Sequence, residues 1–481
     1  MEQTVHATLA QVLPALAALG ARLEGAIATP FAGVSTDSRQ AAPGSLFVAL
    51  RGERYDAHEF LHDVARQGVA AVVVETLPEG WDSAAVPAIV VDDSLVALGR
   101  IANFWRRQFD LPVIGVTGSN GKTTVKEMLA AILAAAYGEE DRLATRGNLN
   151  NEIGVPLTLF RLGARHGAAV IEMGMNHPGE IARLAAIAEP TVAMVNNAQR
   201  EHQEFMHTVE AVARENGAVL AALPPDGVAV FPHGDDYTPV WQALAGSRRA
   251  IRFGLSKEAE VSCTHRAAED FGSDLFITVR DASGDAQQFF VALQAAGEHN
   301  VKNALAAVAC AWGAGLTTDA IKRGLEAFAP VAGRLQQKRA VNGATVIDDT
   351  YNANPDSARA AIDVLAQAGA PRILVLGEMG EVGAQGQQFH EEIGAYAAAK
   401  GIERVLATGE LTRHMAVPQA AGGTGTVVEY FEQFDGLLAA LDAHLAGRSD
   451  ATVLIKGSRF MKMERAVQHL IGSNNNNKEA H

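Results

Sequence analysis

The nine residues Thr117-Gly118-Ser119-Asn120-Gly121-Lys122-Thr123-Thr124-Val125 have the types and spacing to do chemistry on phosphate. Two glycines let a backbone turn tightly with its N–H groups converging, and a helix opening behind them adds positive potential. Lys122 would reach the terminal phosphates, and Thr123 would offer its hydroxyl to Mg2+. The elements that must position this loop can be read on either side. Leu111 to Val116 (LPVIGV) is an apolar, β-branched run that reads as a buried strand. Lys126 to Tyr137 (KEMLAAILAAAY), closed by Gly138, reads as a helix with a glycine stop. Strand, glycine loop, Lys-Thr and helix predict a nucleotide site, although Val116 stands where the pattern G-x-x-x-x-G-K-[ST] has its first glycine.

Two further strand ends carry polar groups that such a site needs. Ala168 to Met173 (AAVIEM) delivers Glu172, and Thr191 to Asn197 (TVAMVNN) delivers Asn196 and Asn197, with His202 soon after. In open α/β sheets ligands gather beyond the carboxyl ends of strands. A carboxylate placed there beside a phosphate loop suits Mg2+, which takes oxygen ligands and keeps several waters. Asn300 and Asn303 stand three apart in GEHNVKN at the start of an Ala-rich helix and can share a face.

Composition bounds the rest. A chain of 481 residues suggests about three domains. Apolar residues at 48% and charged ones at 20% support sizeable cores. The net charge of −15 argues against a nucleic-acid or membrane-docking surface. An anionic nucleotide must therefore be met by local Lys, Arg and N–H groups. Cys263 and Cys310 lack metal-ligand spacing and read as reduced, buried thiols. No signal pattern opens the chain, and its apolar helices are too short to span a bilayer, so no membrane insertion and a cytoplasmic location are expected.

The expected fold class is α/β, with residues 1–110, 111–333 and 334–472 as three domains and 473–481 as a disordered polar tail. The first begins with a helix-like stretch, Ala7 to Leu19, and carries Ser35-Thr36-Asp37-Ser38-Arg39 on a loop. These small polar groups with Arg39 suit an anionic ligand, though taken alone they read more as turn and cap chemistry. The second alternates strand and helix, the signature of a mostly parallel sheet. The third opens after Arg334 with a strand to Asp348, then the loop Asp349-Thr350-Tyr351-Asn352-Ala353-Asn354-Pro355. The strand Arg372 to Leu376, the glycine-rich Gly377 to Gly383 and the late Lys456-Gly457-Ser458-Arg459 follow.

Together TGSNGKTT, GEHNVKNALAA, AGR, IDDTYNANPDS, GEMGEVG and KGSR, in this order over nearly the whole chain, resemble the Mur ligase family of ATP-dependent amide-forming enzymes. The last three motifs look most like the member that adds D-alanyl-D-alanine to UDP-N-acetylmuramoyl-tripeptide. The resemblance implies a small N-terminal domain for the UDP-muramoyl substrate, contacted at Ser35 to Arg39. It implies a central domain for ATP and Mg2+, and a Rossmann-like third domain that closes over them, in a protein expected to be a monomer. By the same resemblance Thr117 to Thr124 would hold the nucleotide, Thr123 and Glu172 a first Mg2+, and His202 a second. Asn300 would reach adenine, Arg334 and Asp349 would close on the nucleotide, and Tyr351 and Asn354 would lie near the dipeptide. One departure stands out: where many members carry a lysine whose carbamate helps bind the second metal, this chain has Asn216, next to Glu215. A folylpolyglutamate synthetase-like ligase and a non-ligating nucleotide-dependent regulator are the alternative readings.

Overall fold

The computed structural model describes residues 3–52, 54–201, 203–268, 271–415 and 425–472. Among the described residues, three large sheets follow one another along the chain, and a small antiparallel pair, His6–Thr8 with Pro30–Ala32, stands beside the first. The first runs in the order Arg22–Glu24, Ala88–Val90, Ala71–Val74, Leu46–Val48, Val34–Ser35. Only its first pair is antiparallel. The stretch Ala7 to Leu19 is not one helix: a strand His6–Thr8 leads into a single α-turn Leu9–Val12 and a 3-10 helix Leu13–Leu19. Pro14 at the start of the last segment has no N–H to continue an α-helical ladder. The apolar face survives the change, with Leu9, Val12 and Leu16 fully buried.

The second sheet has nine strands, ordered Ala286–Leu293, Ser273–Arg280, Val261–Ala267, Arg249–Gly254, Val228–Pro232, Val192–Val195, Val113–Thr117, Ala168–Glu172, Arg142–Ala144. Six of its pairs are parallel, and only the two joining the first three strands are antiparallel. Val113–Thr117 and Ala168–Glu172 are buried along their whole length, as strands covered on both faces must be. Ser273–Arg280 instead alternates buried and less buried residues, which marks a strand with one face toward water. In register, Glu172 lies opposite Val116 and Val195 opposite Thr117. The ends of these three neighbouring strands therefore open at one edge.

The helix after the phosphate loop begins at Lys122, four residues before the sequence alone suggests, and runs to Tyr137. It packs on helices Glu298–Gly313 and Thr318–Ala327, burying Val125, Met128, Leu129, Ile132 and Leu133 in one cluster with Leu305 and Ile321. The third sheet has six strands, ordered Gln336–Arg339, Thr345–Asp349, Thr452–Lys456, Arg372–Gly377, Arg404–Thr408, Val427–Phe431. All its pairs but the first are parallel. Cys263 and Cys310 are buried free thiols. Among the described residues no helix is long and apolar enough to cross a membrane.

Candidate active site

A cleft of about 1490 Å3 forms where the phosphate loop, the edge carrying Glu172 and the third sheet meet. Gly121 caps the loop helix with φ 82°, and a Cβ there would stand 2.3 Å from Asn303 Oδ1 and 2.6 Å from Asn196 Nδ2. Glycine is required both for the left-handed backbone and for room. At Gly118, φ 132°, an added Cβ would likewise stand 2.9 Å from Asn196 Cβ.

The loop's own N–H groups divide into two sets. Gly118 N donates to Asn216 Oδ1 at 3.1 Å, Ser119 N to Asn197 O at 3.1 Å and Asn120 N to Asn197 Oδ1 at 2.8 Å. These three are engaged by the protein itself, which fixes the course of the loop. Lys122, Thr123 and Thr124 open the helix, where the ladder leaves N–H groups without carbonyl partners. The N–H groups at the helix end are the ones open to an anion. Lys122 Nζ donates to Gly118 O at 2.5 Å and Ser119 O at 3.0 Å, and pairs with Glu201 Oε1 at 3.2 Å.

Glu172 is 2% exposed. Its Oε1 accepts from Asn150 Nδ2 at 2.9 Å and Thr123 Oγ1 at 3.2 Å, while Oε2 is buried with no partner among the described residues. Its backbone N–H donates to Thr145 Oγ1. Thr123 Oγ1 also accepts from Arg334 Nη2 at 2.9 Å. A hydroxyl and an orphaned carboxylate oxygen side by side form a donor set that fits a hard divalent cation with most of its waters retained. Among the described residues no group of three His, Cys, Asp or Glu side chains is arranged to hold a metal, so such a cation would lean on water and substrate oxygens.

From the third sheet, the Arg334 guanidinium lies 4.1 Å from the centroid of the Tyr351 ring. Asp349 pairs with Lys456 Nζ at 2.6 Å and accepts from Leu335 N at 3.2 Å. Burial pushes its carboxyl above the usual range against the pull of Lys456. Asn354 caps helix Pro355–Ala366 through Ser357 N and exchanges two amide bonds with Asn120, at 2.9 and 3.3 Å. Asn300 lines the cleft, but its amide is already used: Nδ2 donates to Ala296 O and Oδ1 accepts from Asn303 Nδ2. Asn303 passes the chain on to Asn196, and Asn196 to Asn120 O, a relay of amides that braces the phosphate loop.

Some expected residues stand elsewhere. Ser35, Thr36, Asp37, Ser38 and Arg39 do not line the cleft. Arg39 and Asp37 pair with each other on the surface, where the guanidinium holds the Asp37 carboxyl below its usual range. Ser38 O is held by Gln67. His202 lies outside the described residues, as does the tail 473–481. Glu215, beside Asn216, accepts from Gly179 N and Ile181 N and so caps helix Glu180–Ala188. Asn216 itself is buried under the loop, with Oδ1 accepting from Thr117 Oγ1 at 2.6 Å as well as from Gly118 N.

The same three-part organisation appears in comparisons with known proteins. Residues 30–106 match the Mur ligase family catalytic domain, 116–311 the Mur ligase middle domain and 333–459 the Mur ligase glutamate ligase domain. The chain is 39% identical over 453 residues to the UDP-N-acetylmuramoyl-tripeptide--D-alanyl-D-alanine ligase of Escherichia coli K12, covering 94% of this chain and 96% of the relative. The chain belongs to the Mur ligase family. A crystal structure of MurF from Acinetobacter baumannii superposes with TM-score 0.88 at 33% identity, covering 98% of this chain and all of that one. MurF from Thermotoga maritima in complex with ADP superposes with TM-score 0.80 at 25% identity, covering 92% and 97%.

The types and spacing that mark Lys122, Thr123 and Glu172 as candidates carry little sign of the residues that brace them. Thr145, Asn150, Gln199 and Glu201 were not singled out, and Lys456 was quoted only within a motif. The motif order gave a signal for Lys456. For the others the only signal was their polarity on loops that follow buried strands.

Proposed function

We propose that this Mur ligase joins D-alanyl-D-alanine to UDP-N-acetylmuramoyl-tripeptide with ATP and Mg2+, as a cytoplasmic monomer making a peptidoglycan precursor. Residues 1–110 would hold the UDP-muramoyl substrate, 111–333 ATP and Mg2+, and 334–472 would close the site. The observation that carries the reading is the meeting in one cleft of Lys122, the Thr123–Glu172 pair and Arg334, Tyr351 and Asn354 from loops beside the third sheet. It is the geometry for bringing a phosphoryl donor from one body to an acceptor held by another. The substrates are those named for relatives that align over nearly the full chain.

A carboxylate does not acylate an amine, because oxide would have to leave. Attack of a tripeptide carboxylate oxygen on the γ-phosphorus of ATP expels ADP and gives an acyl phosphate. The dipeptide amine then attacks the acyl carbon, loses a proton, and expels phosphate carrying one of the original carboxylate oxygens. Both partners of the first step are anionic, so positioned positive charge does most of the work. Lys122 and the N–H groups of Lys122 to Thr124 hold the phosphates at the helix end. Thr123 and Glu172 would hold Mg2+, which when bound neutralises charge between carboxylate and phosphate. Arg334 steadies Thr123 from the third domain, and closure of that domain excludes water from the acyl phosphate.

The test is a mass-spectrometric product assay with 18O in the tripeptide carboxylate. Amide formation with D-alanyl-D-alanine but not with glutamate, and 18O in released phosphate, is the expected result. Amide without label in phosphate, or ligation of glutamate alone, overturns the reading.

A further inference from the structure

The loop Asn196 to Glu201 sits between the phosphate loop and the third domain and is fastened to both. On one side, Asn197 takes the N–H groups of Ser119 and Asn120, Gln199 N donates to Ser119 Oγ at 2.9 Å, and Glu201 meets Lys122. On the other side, among the described residues, Arg200 reaches across. Arg200 N donates to Asp356 Oδ2 at 2.9 Å, its Nη2 to Asp356 Oδ1 at 2.6 Å and its Nη1 to Glu392 Oε2 at 2.9 Å. The guanidinium lies 5.3 Å from the centre of the Phe389 ring, and Arg359 holds Glu392 from behind at 2.5 Å. Both carboxylates and the ring belong to the third domain.

Three features separate this contact from an ordinary surface pair. Arg200, Asp356 and Glu392 are 22%, 21% and 25% exposed, so screening is reduced. The fork bridges two carboxylates on two helices, Pro355–Ala366 and Gly386–Ala399, which fixes orientation as well as distance. Arg200 is absent from the described lining of the cleft, although its neighbours Gln199 and Glu201 are part of it. It therefore acts through what it holds.

We propose that Arg200 is a positioning residue for ligation: it latches the third domain to the loop that orders the phosphate site, so that the closed domain and that loop move as one body. This rests on the ligase reading above. An acyl phosphate has to be kept from water until the amine arrives, and a third domain without its latch opens too readily during that interval.

The test uses the full chain carrying Arg200→Ala, with ADP and amide product counted in the same reaction. Wild type should release about one ADP per amide. The variant should show ligation kcat lower by about ten- to a hundredfold, the cost of small misplacement, and at least two ADP per amide. Its ADP affinity should stay within about twofold, since no nucleotide contact is removed. Arg200→Lys, which can satisfy one carboxylate, should fall between. Glu392→Gln, a milder change, should shift the ratio the same way, and adding it to Arg200→Ala should cost little more. Small-angle scattering with ADP bound should report a larger radius for Arg200→Ala. One ADP per amide at undiminished kcat overturns the proposal. So does parallel loss of ADP binding and thermal stability in both variants, which would make the role merely structural. Should wild type form no amide at all, the ligase reading fails, and the scattering comparison alone decides the latch.

Discussion

Replacing Glu172 by glutamine sets stability and activity against each other. The carboxylate is 2% exposed, and one oxygen has no partner among the described residues. A buried unsatisfied polar atom costs about 1–3 kcal/mol, more when charged. Glutamine keeps an oxygen for Asn150 and Thr123 and puts a neutral amide where the orphaned oxygen stood. The nucleotide-free variant should therefore be more stable by about 1 kcal/mol, a rise in Tm of about 2–4 °C for a domain of this size. Ligation should fall by about two to four powers of ten, or about 3–5 kcal/mol of barrier, on the scale of losing a preorganised electrostatic element. The assay pairs thermal unfolding, with and without Mg2+ and ADP, with ADP release across a Mg2+ series. Wild type should gain stability from Mg2+ with ADP, and the variant should gain less. A variant that melts lower than wild type and turns over at full rate in low Mg2+ would refute the reasoning.

Other residues give equally definite expectations. Lys122→Ala should abolish substrate-dependent ADP release while Tm moves by only a few degrees, because Nζ bonds loop carbonyls and Glu201 rather than packing in the core; retained turnover would remove Lys122 from the phosphate site. Asn216→Leu strips a buried acceptor from Thr117 Oγ1 and Gly118 N, at a cost of about 2–4 kcal/mol. It should lower Tm and weaken ADP binding at least about tenfold, both read by calorimetry, and unchanged ADP affinity would show that the loop does not need this brace. His166, His299 and His390 are each pushed below the ordinary 6.5 by burial, His299 to about 4 with the charge of Lys456 adding to the effect. The unfolded chain then binds protons that the folded one refuses. Their contribution is intact above about pH 6.5 and is lost as pH falls from there toward 4. Tm measured from pH 7.5 to 5 should decline, and the decline should be shallower with His299→Gln.

What could be read from the sequence follows from range. The strand before the phosphate loop, the helix after it and Glu172 at a strand end are local patterns, set by a few consecutive residues. The helix start was misplaced by four residues, because Lys122-Thr123-Thr124 reads as loop chemistry until Gly121 is seen capping it. The antiparallel strands between Val261 and Leu293 were not foreseen, since their half-exposed alternation is weaker than a fully apolar run. What escaped most completely is the set of polar contacts between distant residues. Thr117 and Asn216 are 99 apart, and Asn120 and Asn354 are 234 apart. A lone asparagine looks the same in a sequence whether it caps, braces or binds. Glu215 shows the same limit from the other side: in the sequence it is one more carboxylate on a helix, whereas in the structure it caps the start of another helix.

The engagement of Gly118, Ser119 and Asn120 by Asn216 and Asn197 gives the phosphate loop its working shape before any nucleotide arrives. A receptor already set in plaster gains affinity by skipping the entropic toll of ordering, and it holds products as readily as reactants. In the proposed ligation cycle, release of ADP would then rest on movement of the third domain, which joins the second at a junction where Gly333 and Leu335 both take left-handed backbone angles. The tempo of the catalytic cycle would thus be kept by that pivot, and compounds that jam it would slow the enzyme without resembling any of its substrates.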